Sequence, residues 1–131
     1  VHIDFEAENP SFINGVRSVI YEMVYNLVEN AIKYNKNNGK VIVKISKTSE
    51  NFSSKLKQIV VLSVSDTGIG IPKNEINNVM KRFYKVDKSR VNNNSFGIGL
   101  SIANRIANNY NAKIQIDSEL DKYTRISVYF N

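Results

Sequence analysis

Three groups of residues in this chain combine side-chain types and spacings suited to chemistry. The first is Asn26, Asn30, Lys33 and Tyr34. At 100° per residue on a helix they share an arc of about 100° that adjoins the apolar stripe of the same segment, where the lip of a pocket would lie. Two amides, a cation and an aromatic ring offer a hard oxygen ligand for Mg²⁺, a charge to neutralise phosphate, and a surface or hydroxyl for a base. A solvated helix face with routine capping residues has the same appearance. The second group is Asp66-Thr67-Gly68-Ile69-Gly70-Ile71-Pro72. Its carboxylate ends an apolar stretch, where an unpartnered charge is costly, and its glycines permit unusual backbone angles and close ligand approach. Such a carboxylate can accept a hydrogen bond from an exocyclic amine, or it can simply cap a following helix. The third group is Gly97-Ile98-Gly99-Leu100 at the start of a helical pattern, where unpaired N–H groups suit phosphate. Neither glycine pair completes a dinucleotide fingerprint, and the Walker A pattern is absent.

Other chemistries are excluded by composition. With no cysteine there is no disulfide framework, thiolate metal site or cysteine nucleophile. The single histidine, His2, rules out histidine metal clusters and Ser-His-Asp catalysis. No apolar run approaches the roughly 18 residues of a membrane-spanning helix, and the opening residues lack a signal-peptide pattern. The net charge is +6, which favours an anionic partner. Most of the excess sits in KRFYKVDKSR (81–90), five bases against Asp87 alone. Nucleic-acid binders more often spread charge along a stripe; a concentrated knot in a loop suits one small polyanion.

The elements that must position these groups read as follows. VHIDFEA (1–7) alternates as a strand, with a short extended piece around Phe12 and Ile13. Residues 16–35 form an amphipathic helix with Ile20, Met23, Val24, Leu27 and Ala31 inward, stopped by Asn37-Asn38-Gly39. Two strands follow, 40–48 and 58–66, joined by a slack turn over 49–55. A short helix is expected at 73–83, a loop at 84–96, a helix at about 97–109, and strands at 112–119 and 124–130. Tight turns between adjacent strands imply antiparallel pairing. The expectation is one α+β domain, residues 1–131, with helices over one face of a mixed, mostly antiparallel sheet.

Taken in order, these motifs resemble the catalytic ATP-binding domain of sensor histidine kinases, within the wider gyrase, Hsp90, histidine kinase and MutL ATPase superfamily. NLVENAIKY (26–34) is similar to the family's N box, DTGIGIP (66–72) to its G1 box, KRFYKVDKSR (81–90) to the F box and start of the ATP lid, and GIGLSIA (97–103) to its G2 box. The resemblance covers nearly the whole chain. It implies the two-layer α/β sandwich known as the Bergerat fold, with about three helices on the sheet. It also implies ATP and Mg²⁺ as ligands. Asn30 would hold the metal, with Asn26 assisting. Lys33 would meet phosphate and Tyr34 would flank the nucleotide. Asp66 would accept from the adenine amine, with Gly68 and Gly70 lining its pocket. Arg82, Lys85, Lys88 or Arg90 would close on the phosphates, and Gly97, Gly99 and Leu100 would hold phosphate at the helix start.

The chain departs from the family pattern in three places. Asn94, Ser95 and Phe96 stand where further glycines often precede the G2 box, Met80 replaces an earlier phenylalanine, and Ala112 and Asp121 lie near positions usually held by glycine. None removes an implied ligand. Hydrolytic members of the superfamily carry a glutamate four residues before the metal-binding asparagine. Here that residue is Asn26, and an amide is no general base at neutral pH. Glu29 is offset by 100° from Asn30 and is expected to point away. The implied activity is therefore ATP-dependent protein histidine kinase, with the phosphoryl group passing to a histidine on a dimerisation domain that this chain lacks, since His2 sits in a strand pattern. A response regulator and a membrane anchor would come through the parent protein, with this domain in the cytoplasm and no nucleic-acid partner. The alternatives are a superfamily ATPase, a serine kinase acting on a protein partner, and, from another class, a basic nucleic-acid-binding module with strongly salt-dependent affinity.

Overall fold

The computed structural model describes residues 1–7, 13–52, 55–72, 76 and 95–130, with the backbone alone for 50–52, 55–57 and 95–99. Five strands are formed: β1 (His2–Ala7), β2 (Lys40–Phe52), β3 (Lys55–Asp66), β4 (Lys113–Glu119) and β5 (Tyr123–Phe130). They make one sheet in the order β1-β2-β3-β5-β4. β1 runs parallel to β2, and the other neighbouring pairs are antiparallel. Two helices, α1 (Arg17–Lys33) and α2 (Ser95–Asn109), complete the described elements. This is the expected α+β fold with a mixed, mostly antiparallel sheet.

Periodicity explains which faces meet. On α1, Met23, Leu27 and Ala31 recur every four residues and are buried. They join Val41 and Val43 of β2, Leu62 and Val64 of β3, Ile126 and Val128 of β5, and Leu100, Ala103 and Ala107 of α2 in a single core. Met23, Leu27, Leu100, Val41 and Val128 are its largest fully buried side chains. Each such residue contributes about 1.5–3 kcal/mol by leaving water. β4 alternates exposed and half-buried positions along its length, the mark of an edge strand with one covered face.

Several boundaries differ from the sequence expectation. The slack turn placed at 49–55 is largely strand: β2 continues to Phe52 and β3 resumes at Lys55, with Thr48 opposite Ile59 and Phe52 opposite Lys55. Serine-rich composition masked the pairing because an extended two-stranded arm needs little apolar content. Ile13 is not in a strand, although it packs on the core. The alternation in β1 buries neither face, and Ile3 and Phe5 stay exposed. The short helix expected at 73–83 lies outside the described residues, apart from a turn at Ile76.

Among the described residues three non-glycine positions take positive φ, and all are Asn or Asp: Asn38 (61°), Asn111 (55°) and Asp121 (62°). These residue types tolerate the left-handed region best after glycine. Asn111 and Asp121 thus fill turn positions beside those where the family pattern has glycine.

Candidate functional site

The last turns of α1, the end of β3, the glycine loop that follows it and the start of β5 converge on one cleft. Asn30, Tyr34, Asp66, Gly70, Leu100 and Thr124 line it, with Val64, Ile71 and Ile126 among its apolar walls. The deepest part encloses about 20 Å³, room for one water.

Asp66 is the ionisable carboxyl of the cleft. It is the last residue of β3 and stands opposite Thr124 of β5. Burial pushes its carboxyl up from the usual 3.8 to about 6, while hydrogen bonds from the backbone N–H groups of Gly68 and Thr124 partly oppose that rise. The Gly68 N–H lies 2.9 Å from Oδ1. At neutral pH the group is ionised and accepts hydrogen bonds only.

The glycines are there because the chain passes too close to its neighbours for any side chain. A Cβ on Gly68 would stand 2.2 Å from the Tyr34 carbonyl oxygen. A Cβ on Gly70 would stand 2.1 Å from the Glu119 carbonyl oxygen, and Gly70 also has φ of 70°. Hydrogen bonds pin the loop on both flanks. The Ile69 N–H donates to the Tyr34 carbonyl at 3.0 Å, and the Asp121 N–H donates to the Ile69 carbonyl at 2.7 Å. The Ile71 N–H donates to Ser118 Oγ at 2.7 Å. At the loop's entry, Thr67 Oγ1 donates to Asn35 Oδ1 at 3.1 Å and accepts from the Lys40 N–H at 2.9 Å, while Asn35 Nδ2 donates to the Lys40 carbonyl at 2.9 Å.

The helix side is organised differently. Asn30 is only 6% exposed, and its Nδ2 has no hydrogen-bond partner among the described residues. A buried amide left in this state is destabilising by about 1–3 kcal/mol. The other terminal atom of the same amide is a carbonyl oxygen, a hard ligand of the kind that suits Mg²⁺. Asn26 and Lys33 do not line the cleft. Asn26 Nδ2 donates to the Glu22 carbonyl at 2.8 Å along its own helix. Lys33 Nζ lies 2.7 Å from Glu29 Oε1, an i,i+4 ion pair. Glu29 thus faces Lys33 rather than the cleft. α2 begins at Ser95, two residues earlier than its pattern suggested, so Gly97 falls within its first turn. Leu100 is 1% exposed and belongs to the core as well as the cleft wall. Arg82, Lys85, Lys88 and Arg90 lie outside the described residues.

The structure therefore unites Asn30, Tyr34, Asp66, Gly70 and Leu100, with Gly68 behind Asp66. It also brings in Thr124 and Ser118, which sequence reasoning missed. Both sit in an ordinary alternating strand pair, and their one signal is register: Thr124 is the residue of β5 that pairs with Asp66.

Residues 15–131 match the family of histidine kinase-, DNA gyrase B- and HSP90-like ATPases. The chain belongs to this family. Among curated relatives, this ATPase-family domain is 29% identical over 136 residues to the signal transduction histidine-protein kinase ArlS of Staphylococcus haemolyticus, covering 99% of the chain and 28% of that protein. It is 32% identical over 130 residues to the sensor histidine kinase WalK of Bacillus subtilis, covering 96% of the chain and 20% of that protein. The domain thus spans between a fifth and just over a quarter of these relatives. Among solved structures, the mycobacterial sensor histidine kinase MprB superposes with a TM-score of 0.81 at 25% identity, covering 98% of the chain and 82% of its own. Among the described residues no helix is long and apolar enough to cross a membrane.

Proposed function

We propose that residues 1–131 form the single nucleotide-binding catalytic domain of a sensor histidine kinase, taking Mg²⁺-ATP in the cleft between α1 and the glycine loop. The observation that carries this reading is the pairing, in one cleft, of a buried acceptor at Asp66 with a buried, unsatisfied amide at Asn30. Asp66 accepts from the base amine. Asn30 would hold the metal through its amide oxygen. Among the described residues no three His, Asp or Glu stand together. A divalent ion here would take its other ligands from phosphate and water, as Mg²⁺ commonly does. The ion's contribution is to neutralise charge on the phosphates.

Water is not the favoured nucleophile. Asn26 has no basic group and its amide is tied to Glu22, while Glu29 is engaged by Lys33. Transfer is instead to an imidazole of the parent kinase's dimerisation domain. A ring nitrogen bonds to the γ-phosphorus, the bond to the β-bridging oxygen breaks, ADP leaves, and the other ring nitrogen gives up its proton. The domain contributes by positioning and electrostatics, with Lys33 and the basic residues Arg82, Lys85, Lys88 and Arg90 assigned to phosphate, Tyr34 to the nucleotide, and Gly97 and Gly99 to the phosphate end. The parent would be a membrane-anchored sensor with this domain in the cytoplasm, passing phosphoryl groups to a response regulator.

Calorimetry with ATP, with and without Mg²⁺, tests the binding half; no heat at millimolar nucleotide would end this reading. Mixing the domain with a histidine-bearing dimerisation domain and labelled ATP tests the rest. The product expected is acid-labile and base-stable. An acid-stable, base-labile phosphoester would assign a serine kinase instead.

A further inference from the structure

Ser118, at the end of β4, does not line the cleft, yet its hydrogen bonds dictate what the cleft presents. Its Oγ accepts from the Ile71 N–H at 2.7 Å, donates to the Tyr123 carbonyl at 2.8 Å, and lies 2.8 Å from Thr124 Oγ1. A serine hydroxyl has one proton to give and two lone pairs to receive with. The Tyr123 carbonyl can only accept, so it takes that proton. The contact to Thr124 must then run the other way, with the Thr124 hydroxyl donating to Ser118. This fills Ser118's capacity and spends the only proton Thr124 Oγ1 carries.

Thr124 is 7% exposed and lines the cleft. With its proton directed at Ser118, it offers the cleft lone pairs alone. Asp66 stands opposite it in the β3–β5 ladder and, when ionised, also offers acceptors alone. Among the described residues the titratable groups lining the cleft are Asp66 and Tyr34, and neither is a charged donor.

We infer that Ser118 is a positioning residue for base selectivity: it fixes the Thr124 hydroxyl as an acceptor, so that this end of the cleft favours a purine bearing an amine over one bearing an oxo group. The inference rests on the nucleotide reading above and adds a residue to it. An oxo oxygen placed against two acceptors is left unpaired, which is more costly than losing a hydrogen bond to water.

The test compares ATP with inosine triphosphate, which changes the 6-position without adding the 2-amino group of guanine. Calorimetry on the unaltered domain should favour ATP. In Ser118→Ala, Thr124 is free to turn and donate to the oxo group, and the ATP preference should narrow by roughly tenfold. Ser118→Thr keeps the hydroxyl and should keep the preference. Loss of the Ile71 contact in Ser118→Ala weakens both nucleotides alike, so the ratio isolates polarity from stability. In a Thr124→Val background, Ser118→Ala should no longer move the ratio. An unchanged ratio in Ser118→Ala, or the same narrowing without the Thr124 hydroxyl, overturns the inference. Neutron diffraction on the nucleotide-free domain decides the hydroxyl direction separately. Deuterium between Thr124 Oγ1 and Ser118 Oγ supports the inference, and deuterium on the cleft side overturns it. If the unaltered domain binds neither nucleotide, the nucleotide reading itself falls, and with it the selectivity assigned to Ser118.

Discussion

The two ends of the cleft are built to different degrees. At the sheet end, Asp66, Thr124, Ser118 and the loop from Thr67 to Ile71 are held by a network in which backbone and side-chain partners answer one another. At the helix end, Asn30 is buried with its amide unsatisfied, and Lys33 is drawn to Glu29. On the proposed reading, the end assigned to the base is preorganised in the free chain by these hydrogen bonds, whereas the end assigned to metal and phosphate holds a buried amide whose Nδ2 lacks a partner among the described residues. Preorganisation at one end lowers the ordering cost of binding.

The sharpest way to break this contrast is at Gly70. Gly70→Ala puts a Cβ 2.1 Å from the Glu119 carbonyl at positive φ. It should lower stability by about 3 kcal/mol or more and abolish nucleotide binding. Urea unfolding and calorimetry read both; little change in either would mean the sheet end is not tightly framed.

Next in size is Asp66. Its carboxyl is raised to about 6, so the folded state holds a proton that the unfolded chain has released between about pH 4 and 6. Stability therefore falls as pH rises through that window. Above it, the ionised group carries a constant penalty of about 3 kcal/mol. Asp66→Asn should recover up to that amount at pH 8 and flatten the pH dependence of unfolding, while ATP-over-GTP selectivity drops. In the unaltered domain, ATP affinity should decline below about pH 6 as the acceptor is protonated, a decline that Asp66→Asn should lack. Greater stability together with unimpaired selectivity would remove Asp66 from base recognition.

At the helix end the expected signature is inverted. Asn30→Ala deletes an unsatisfied polar group, so thermal stability should hold to within about 1 kcal/mol, while affinity for Mg²⁺-ATP falls by about tenfold and metal-free ATP is little affected. Equal losses with and without Mg²⁺ would take Asn30 away from the metal. The smallest effect belongs to Glu29. The Lys33–Glu29 pair is about a third exposed, and such i,i+4 pairs contribute about 0.3–0.5 kcal/mol. Glu29→Gln should barely move the melting temperature but strengthen ATP binding by about twofold, provided Lys33 meets phosphate. Unchanged affinity would leave Lys33 as a surface residue.

Most of the fold was legible in the sequence because it rests on periodicity. Met23, Leu27 and Ala31 mark the inner face of α1, and the continuous apolar centre of β3 marks a central strand, flanked by β2 and β5. The extension of β2 over 49–52 and of β3 over 55–57 was hidden, since cross-strand pairing there recruits few apolar residues. In the cleft, Asp66 and the glycines were legible because a carboxylate before two closely spaced glycines is uncommon chemistry. The helical arc of Asn26, Asn30, Lys33 and Tyr34 was drawn correctly as an angle. Angle alone could not separate Asn30 and Tyr34, which line the cleft, from Asn26 and Lys33, which do not and which pair with Glu22 and Glu29 on their own helix.

By itself the sequence determined the order of elements, the buried faces and the family's motifs, because these follow from local geometry: 3.6 residues per helical turn, two per strand repeat, and the few residue types that accept a left-handed backbone. Only the tertiary structure decided that Thr124 lies opposite Asp66 and that Ser118 reaches both it and Ile71. Thr124 and Asp66 are 58 residues apart in the chain, and Ser118 and Ile71 are 47 apart. Strand register across the sheet sets them, and register depends on how the strands pair and pack against the helices at once, which no local pattern encodes.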